Sequence, residues 1–245
     1  MSTGVRRALL AAVVVGIAVL LPAHDTVAVG PADADVVATA HAAEGTAHRF
    51  DTRSSVGRLT RNGQARATAT ASAMCTGCEG DARTVQILYA QAPQVVVDNV
   101  AAAWASCVDC SATSVAVQVV VLGKRTADMV FANRALAVNA ACTGCTTRAL
   151  AVQFVISGGN RHELSEQARA IIAQLSTQLA LDLESPRPGR RSAQVSSESP
   201  GLSSLSRLAM SAPEARSVER AASALRSEFG RDAVSVSLDV RRDGQ

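Results

Sequence analysis

The chain has 245 residues, 48% hydrophobic and only 2% aromatic, with a formal net charge of +3. That is enough for one or two modest domains, but the core must be built largely from Ala and Val, which bury less area per side chain than Leu or Phe. The mild positive balance, with one Trp and one Tyr in all, excludes the concentrated basic face and stacking platform expected of a nucleic-acid binder.

Taken in chain order, the first segment reads as an export signal. Arg6 and Arg7 precede an unbroken apolar run from Ala8 to Leu21, and Pro22 ends it. The run is shorter than the ~20 residues a membrane span needs, so residues 1–28 are expected to be a cleaved signal peptide rather than an anchor. The Arg6-Arg7 pair also meets the minimum for twin-arginine export. Secretion or residence in the cell envelope follows. Residues 29–62, rich in Ala, Asp, Thr and Gly, are expected to form a flexible leader.

Residues 63–183 hold an internal repeat. Three C-x-x-C pairs occur, Cys75/Cys78, Cys107/Cys110 and Cys142/Cys145, with first cysteines 32 and then 35 residues apart. Eight residues after each second cysteine stands a glutamine, Gln86, Gln118 or Gln153, with one apolar residue before it and three after. Val, Ile and Thr favour strands, and Thr-Gly between cysteines suits a type II turn, Val108-Asp109 a type I turn. The expected fold class is therefore mainly β with a helical C-terminal part (α+β): three repeated antiparallel hairpins, each with a C-x-x-C turn, then helices and a short terminal strand. Val115–Leu122 reads as a strand buried on both faces. The glutamines are either buried amides bonding a neighbouring strand or residues of the solvent face. Trp104 reads as core packing near Cys107.

Beyond the repeat, apolar residues from Leu164 to Leu183 recur at helical spacing, with Asn160 or Ser165 as cap. Glu163, Glu166 and Asp182 then fall on its solvated face. Residues 184–204 carry Pro186, Pro188 and Pro200 and read as a linker. In the tail, 205–245, Ser211 and Glu214 form a capping box with Pro213 in the first turn. Val218, Ala221, Ala222, Leu225 and Phe229 share a helical face. Val234, Val236, Leu238 and Val240 alternate with polar residues as a strand would. A unit this small needs the repeat domain or a partner to dock on.

The stretch "NRALAVNAACTGCTTRALAVQFVIS", followed by His162-Glu163-Leu164-Ser165-Glu166, resembles a module outside the peptidase core of actinobacterial peptide zinc metalloproteases and of related secreted proteins. The match covers roughly residues 65–183. Position 166 is Glu where H-E-x-x-H needs His, so the resemblance implies a shared extracytoplasmic module without peptidase activity. It also suggests an accessory of a membrane metallopeptidase.

Three chemistries compete for the cysteines. Disulfides come first: cysteines flanking a two-residue turn lie within bridging range, and an exported protein with an even count favours them. Zinc is the alternative, since C-x-x-C at a turn tip is a knuckle and two knuckles make a four-cysteine site. Thiol–disulfide catalysis ranks third, because reactive pairs sit at helix N-termini and strand follows each pair here. No catalytic residue and no cofactor beyond zinc as the alternative is expected. The function expected is an exported, non-enzymatic structural or interaction module with a protein partner, membrane-associated or not. No small-molecule substrate is evident.

Overall fold

The computed structural model describes residues 35–60, 63–124, 126–157, 163–184 and 210–244. The expected signal peptide and nearly all of the expected linker lie outside these residues. Among the described residues, nine strands and two helices follow in order: β1 (Val36–Ala42), β2 (His48–Leu59), β3 (Gly63–Ala73), β4 (Glu79–Ala90), β5 (Gln94–Ala105), β6 (Ser111–Leu122), β7 (Asp128–Asn139), β8 (Thr146–Ile156), α1 (Glu166–Glu184), α2 (Ala212–Phe229) and β9 (Val234–Gly244).

The strands do not pair as hairpins. Odd strands form one sheet in the order β1-β3-β5-β7, and even strands form a second in the order β2-β4-β6-β8-β9. All pairs among β1–β8 are parallel. The chain is therefore a β-solenoid of four coils, each with one strand per sheet, and this overturns the antiparallel hairpin fold. The C-x-x-C turn carries the chain from one sheet to the other, and each strand pairs with its counterpart one repeat away. The physical reason lies in the repeat itself. Equivalent residues stack on equivalent residues, Ala69 on Ala101 on Ala135 and Gln86 on Gln118 on Gln153, whereas β3 and β4 carry unlike patterns that would match poorly across a hairpin.

Alanine makes this geometry possible. The inner faces of the two sheets meet through fully buried residues such as Ala38, Ala69, Ala82, Ala101, Ala116 and Ala151. Side chains this small let the sheets approach closely. At Gly80 even a methyl group is excluded, because a Cβ would stand 2.5 Å from the Ser72 carbonyl oxygen of the facing sheet.

The outer face of the even sheet is covered by both helices over β4, β6 and β8. Val85, Ile87, Val117, Leu150 and Phe154 pack under Ile172, Leu175, Leu179, Leu225 and Phe229. β6 is thus buried on both faces from Ala112 to Val121, as the apolar residues on either side of Gln118 predict. Ser165 caps α1, its Oγ accepting from Ala168 N at 3.1 Å. Ser211 and Glu214 form the capping box of α2. The tail docks on the repeat domain: β9 pairs antiparallel with β8.

Two further expectations change. Residues 35–60, assigned above to a flexible leader, form a first coil, with β1 alternating buried and exposed residues along Val36–Ala42. Trp104 is not core: its side chain lies on the outer face of the odd sheet and is 38% exposed.

Candidate functional site

The C-x-x-C turns stack at one corner of the solenoid. Their cysteines gather in a column with Ala42, Ala73 and Ala105, and Cys78, Cys110 and Cys145 are buried. Each pair closes on itself, Cys75–Cys78, Cys107–Cys110 and Cys142–Cys145, with Cα separations of 5.2, 6.1 and 5.7 Å. No free cysteine remains among the described residues.

Backbone bonds between coils hold the corner. Gly77 N donates to Val108 O at 3.0 Å, Asp109 N to Thr143 O at 2.8 Å, and Thr146 N to Cys110 O at 2.9 Å. Gly77 and Gly144 take the positive φ expected of them, both at 69°. Asp109 occupies the same left-handed region at φ 52°, so the middle turn is not the type I turn its lack of glycine suggests. Asp tolerates this region better than most residues. The Asp109 carboxylate also fills the space beside Gly144, where a Cβ would collide with it.

Stacking also brings sulfurs of different coils together. Cys110 Sγ and Cys145 Sγ lie 3.0 Å apart without a bond between them. Cys107 N donates to Cys142 Sγ at 3.3 Å.

The three glutamines resolve as buried amides. Gln118 Nε2 donates to Gln86 Oε1 at 2.7 Å, and Gln153 Nε2 to Gln118 Oε1 at 2.6 Å. Their second N–H bonds reach across to the facing sheet, at Arg66 O, Asp98 O and Ala132 O. The glutamines thus form a ladder that ties coil to coil and sheet to sheet, with their polar groups partnered as burial requires.

Sequence reasoning missed a second ladder on the facing strands. Asn99 and Asn133 are register partners, joined Nδ2 to Oδ1 at 2.8 Å, and Asn99 Nδ2 also reaches Ala116 O at 3.1 Å. Asn133 Nδ2 reaches Ala151 O at 3.1 Å. The signal was present: both asparagines hold the same place in the repeat. Ala67 occupies that place one coil earlier, and Asn99 Oδ1 accordingly has no hydrogen-bond partner.

No family model, curated protein or solved structure matches this chain.

A charged cluster lies under the C-terminal end of α1 and the N-terminal end of α2. Asp81 and Arg83 form a buried ion pair, with Arg83 Nε donating at 3.0 Å. Burial outweighs that pairing and raises the Asp81 carboxyl above its ordinary value. Glu184 is raised as well, first by burial and then by the neighbouring Asp81 charge. Arg148 is lowered by burial and by Arg242, while Arg242 pairs with the buried Glu214. The shifts of Asp81, Glu184 and Arg148 all disfavour the charged forms, so this seam between helices and sheet carries a desolvation cost that its ion pairs offset only in part.

A groove of about 560 Å³ runs between β2, β4 and α1, with Val56, Ile87, Tyr89 and Ala173 in its walls and Arg58 and Glu163 at its rim. Arg58 and Glu163 form an ion pair. Glu163 therefore has a structural partner. Among the described residues no helix is long and apolar enough to cross a membrane.

Proposed function

We propose that the chain is an exported, non-catalytic scaffold whose disulfide-clamped solenoid presents a flat β-surface to a protein partner of the cell envelope. The observation that supports this is the outer face of the odd sheet. Trp104 and Val138 are register partners on β5 and β7, Leu136 lies two residues along, and Val96 and Val130 pair further on. These side chains are between 38% and 59% exposed. The even sheet's equivalent face is closed by two helices over β4, β6 and β8, so the contrast is built into the architecture. Trp is among the residues enriched at interface hot spots, and the apolar residues beside it suit the buried core of an interface patch. The Asp98 carboxylate, bound by Arg134 and Arg66, adds a polar element in the middle of that face. The buried Gln and Asn amides, by contrast, are committed to ladders within the fold.

The reading is tested by envelope fractionation of cells expressing the full chain. The Trp104→Ser/Leu136→Ser variant should lose co-sedimentation with its envelope partner while a Gln167→Ser control on exposed α1 keeps it. Both should be exported and folded by circular dichroism. Equal retention by the two variants, or recovery of the wild type only in the cytosol, overturns the reading.

A further inference from the structure

The cysteine corner is made of covalent clips while oxidised, and reduction turns it into a set of soft ligands. Among the described residues, Cys107, Cys110 and Cys145 form the one group whose ligand atoms lie close enough to share an ion, all within 4.8 Å of one another. They come from two coils, so no single C-x-x-C pair makes the group. Cys142 Sγ falls outside that group of three but accepts from the Cys107 backbone N–H at 3.3 Å, one short movement from it. In a tetrahedral thiolate site with Zn–S near ~2.3 Å, sulfurs stand roughly 3.8 Å apart. Opening the two disulfides moves each bonded sulfur pair outward toward that spacing, while Cys110 and Cys145 need only separate slightly from 3.0 Å.

We propose that, once Cys107–Cys110 and Cys142–Cys145 are reduced, the protein binds one thiophilic divalent ion, zinc above all, through these four sulfurs. The ligand set is two stacked turns of adjacent coils rather than two knuckles facing each other. Cys75–Cys78, one coil earlier, takes no part.

Three features favour the site. The cysteines are positioned by strand register and by the inter-coil backbone bonds of the corner, which reduction leaves in place. The amide ladders hold the coils together without the disulfides. The Cys107 N–H aimed at Cys142 Sγ is the kind of bond that favours a thiolate. In the chemistry, a dithiol gives each disulfide two electrons and two protons and itself closes to a cyclic disulfide. The ion then displaces the thiol protons, up to four in all, so affinity rises with pH. The inference goes beyond the scaffold reading and does not depend on the partner surface.

The test uses the full chain, reduced without oxygen, freed of reductant and titrated with Co²⁺. We expect one ion per chain, thiolate-to-cobalt charge-transfer absorption, the visible bands of a tetrahedral site, and displacement by Zn²⁺. The oxidised protein should give none of these. Cys75→Ala/Cys78→Ala should leave cobalt affinity unchanged, and Cys145→Ser should weaken it by more than about 100-fold, beyond what loss of an outer-shell partner costs. Circular dichroism accompanies each sample. Absence of the charge-transfer band in folded, reduced protein overturns the proposal. So does equal loss in the Cys75→Ala/Cys78→Ala variant, or a reduced chain that no longer holds its β structure.

Discussion

The first coil, β1–β2, and the third, β5–β6, share a path and differ in what fills it. In the third coil the corner holds Cys107 and Cys110, the glutamine column holds Gln118 and the opposite column holds Asn99. In the first coil the corner, residues 43–47, has no cysteine, and Ser55 stands where the glutamine would be. Ser55 Oγ is buried without a hydrogen-bond partner, while Gln118 bonds an amide on each side. β2 is exposed or half-buried over most of its length and β6 is almost wholly buried. A ladder residue is thus worth what the coils above and below give it.

Replacing the centre of the ladder breaks this comparison hardest. Gln118→Leu removes the donor to Gln86 Oε1 and the acceptor for Gln153 Nε2. Urea unfolding should show a loss of about 3 kcal/mol, since buried amides are left underbonded. A smaller change would mean that the ladder relaxes onto the facing carbonyls.

Next in size is the corner. Cys107→Ala/Cys110→Ala gives the third coil the uncrosslinked turn of the first. Because the closed loop is so short, the chain-entropy argument allows a loss of about 2 kcal/mol. Thermal unfolding of the variant against the wild type checks it.

The charged cluster supplies a pH-dependent contrast within the helix-covered sheet. Glu184 holds its proton more tightly in the fold than in the unfolded chain. Its contribution therefore favours the fold fully below the unfolded carboxyl value, near about pH 4, and is lost as pH rises through the raised folded value. Against Glu184→Gln, the wild type should lose relative stability from about pH 4 upward and level off thereafter. A difference that is flat with pH would remove burial as the cause.

Ser55→Ala should do least, changing stability by no more than about 0.5 kcal/mol, because the hydroxyl it removes bonds nothing. Set beside Gln118→Leu, it measures the same column at its end and at its centre.

Much of this was legible. The repeat length, the C-x-x-C positions, the capping box at Ser211 and Glu214 and the alternation of Val234 to Val240 all came from local chemistry. The pairing direction did not. A two-residue turn between apolar runs looks alike whether the chain doubles back or crosses to a facing sheet. The signal that separates them is equivalence over 32 residues, with alanine on alanine and glutamine on glutamine, which rewards parallel stacking. The first coil was missed because it lacks both markers, although Val36, Ala38, Ala40 and Ala42 alternate clearly. Trp104 was misplaced because β5 is apolar on both faces and only one of them is covered.

The antiparallel course of β9 has a consequence outside this molecule. Parallel strands in register, with glutamines bonded one above another, form a stack that can go on recruiting further chains without limit. Here the last coil meets a strand that runs the other way, and Asp239 and Asp243 accept the outward N–H groups of Ala135 and Asn139 on β7. Those donors can no longer template a newcomer, and an incoming chain would meet carboxylates instead. The tail is the stop signal of a structure whose repeat, left to itself, is written for a fibre.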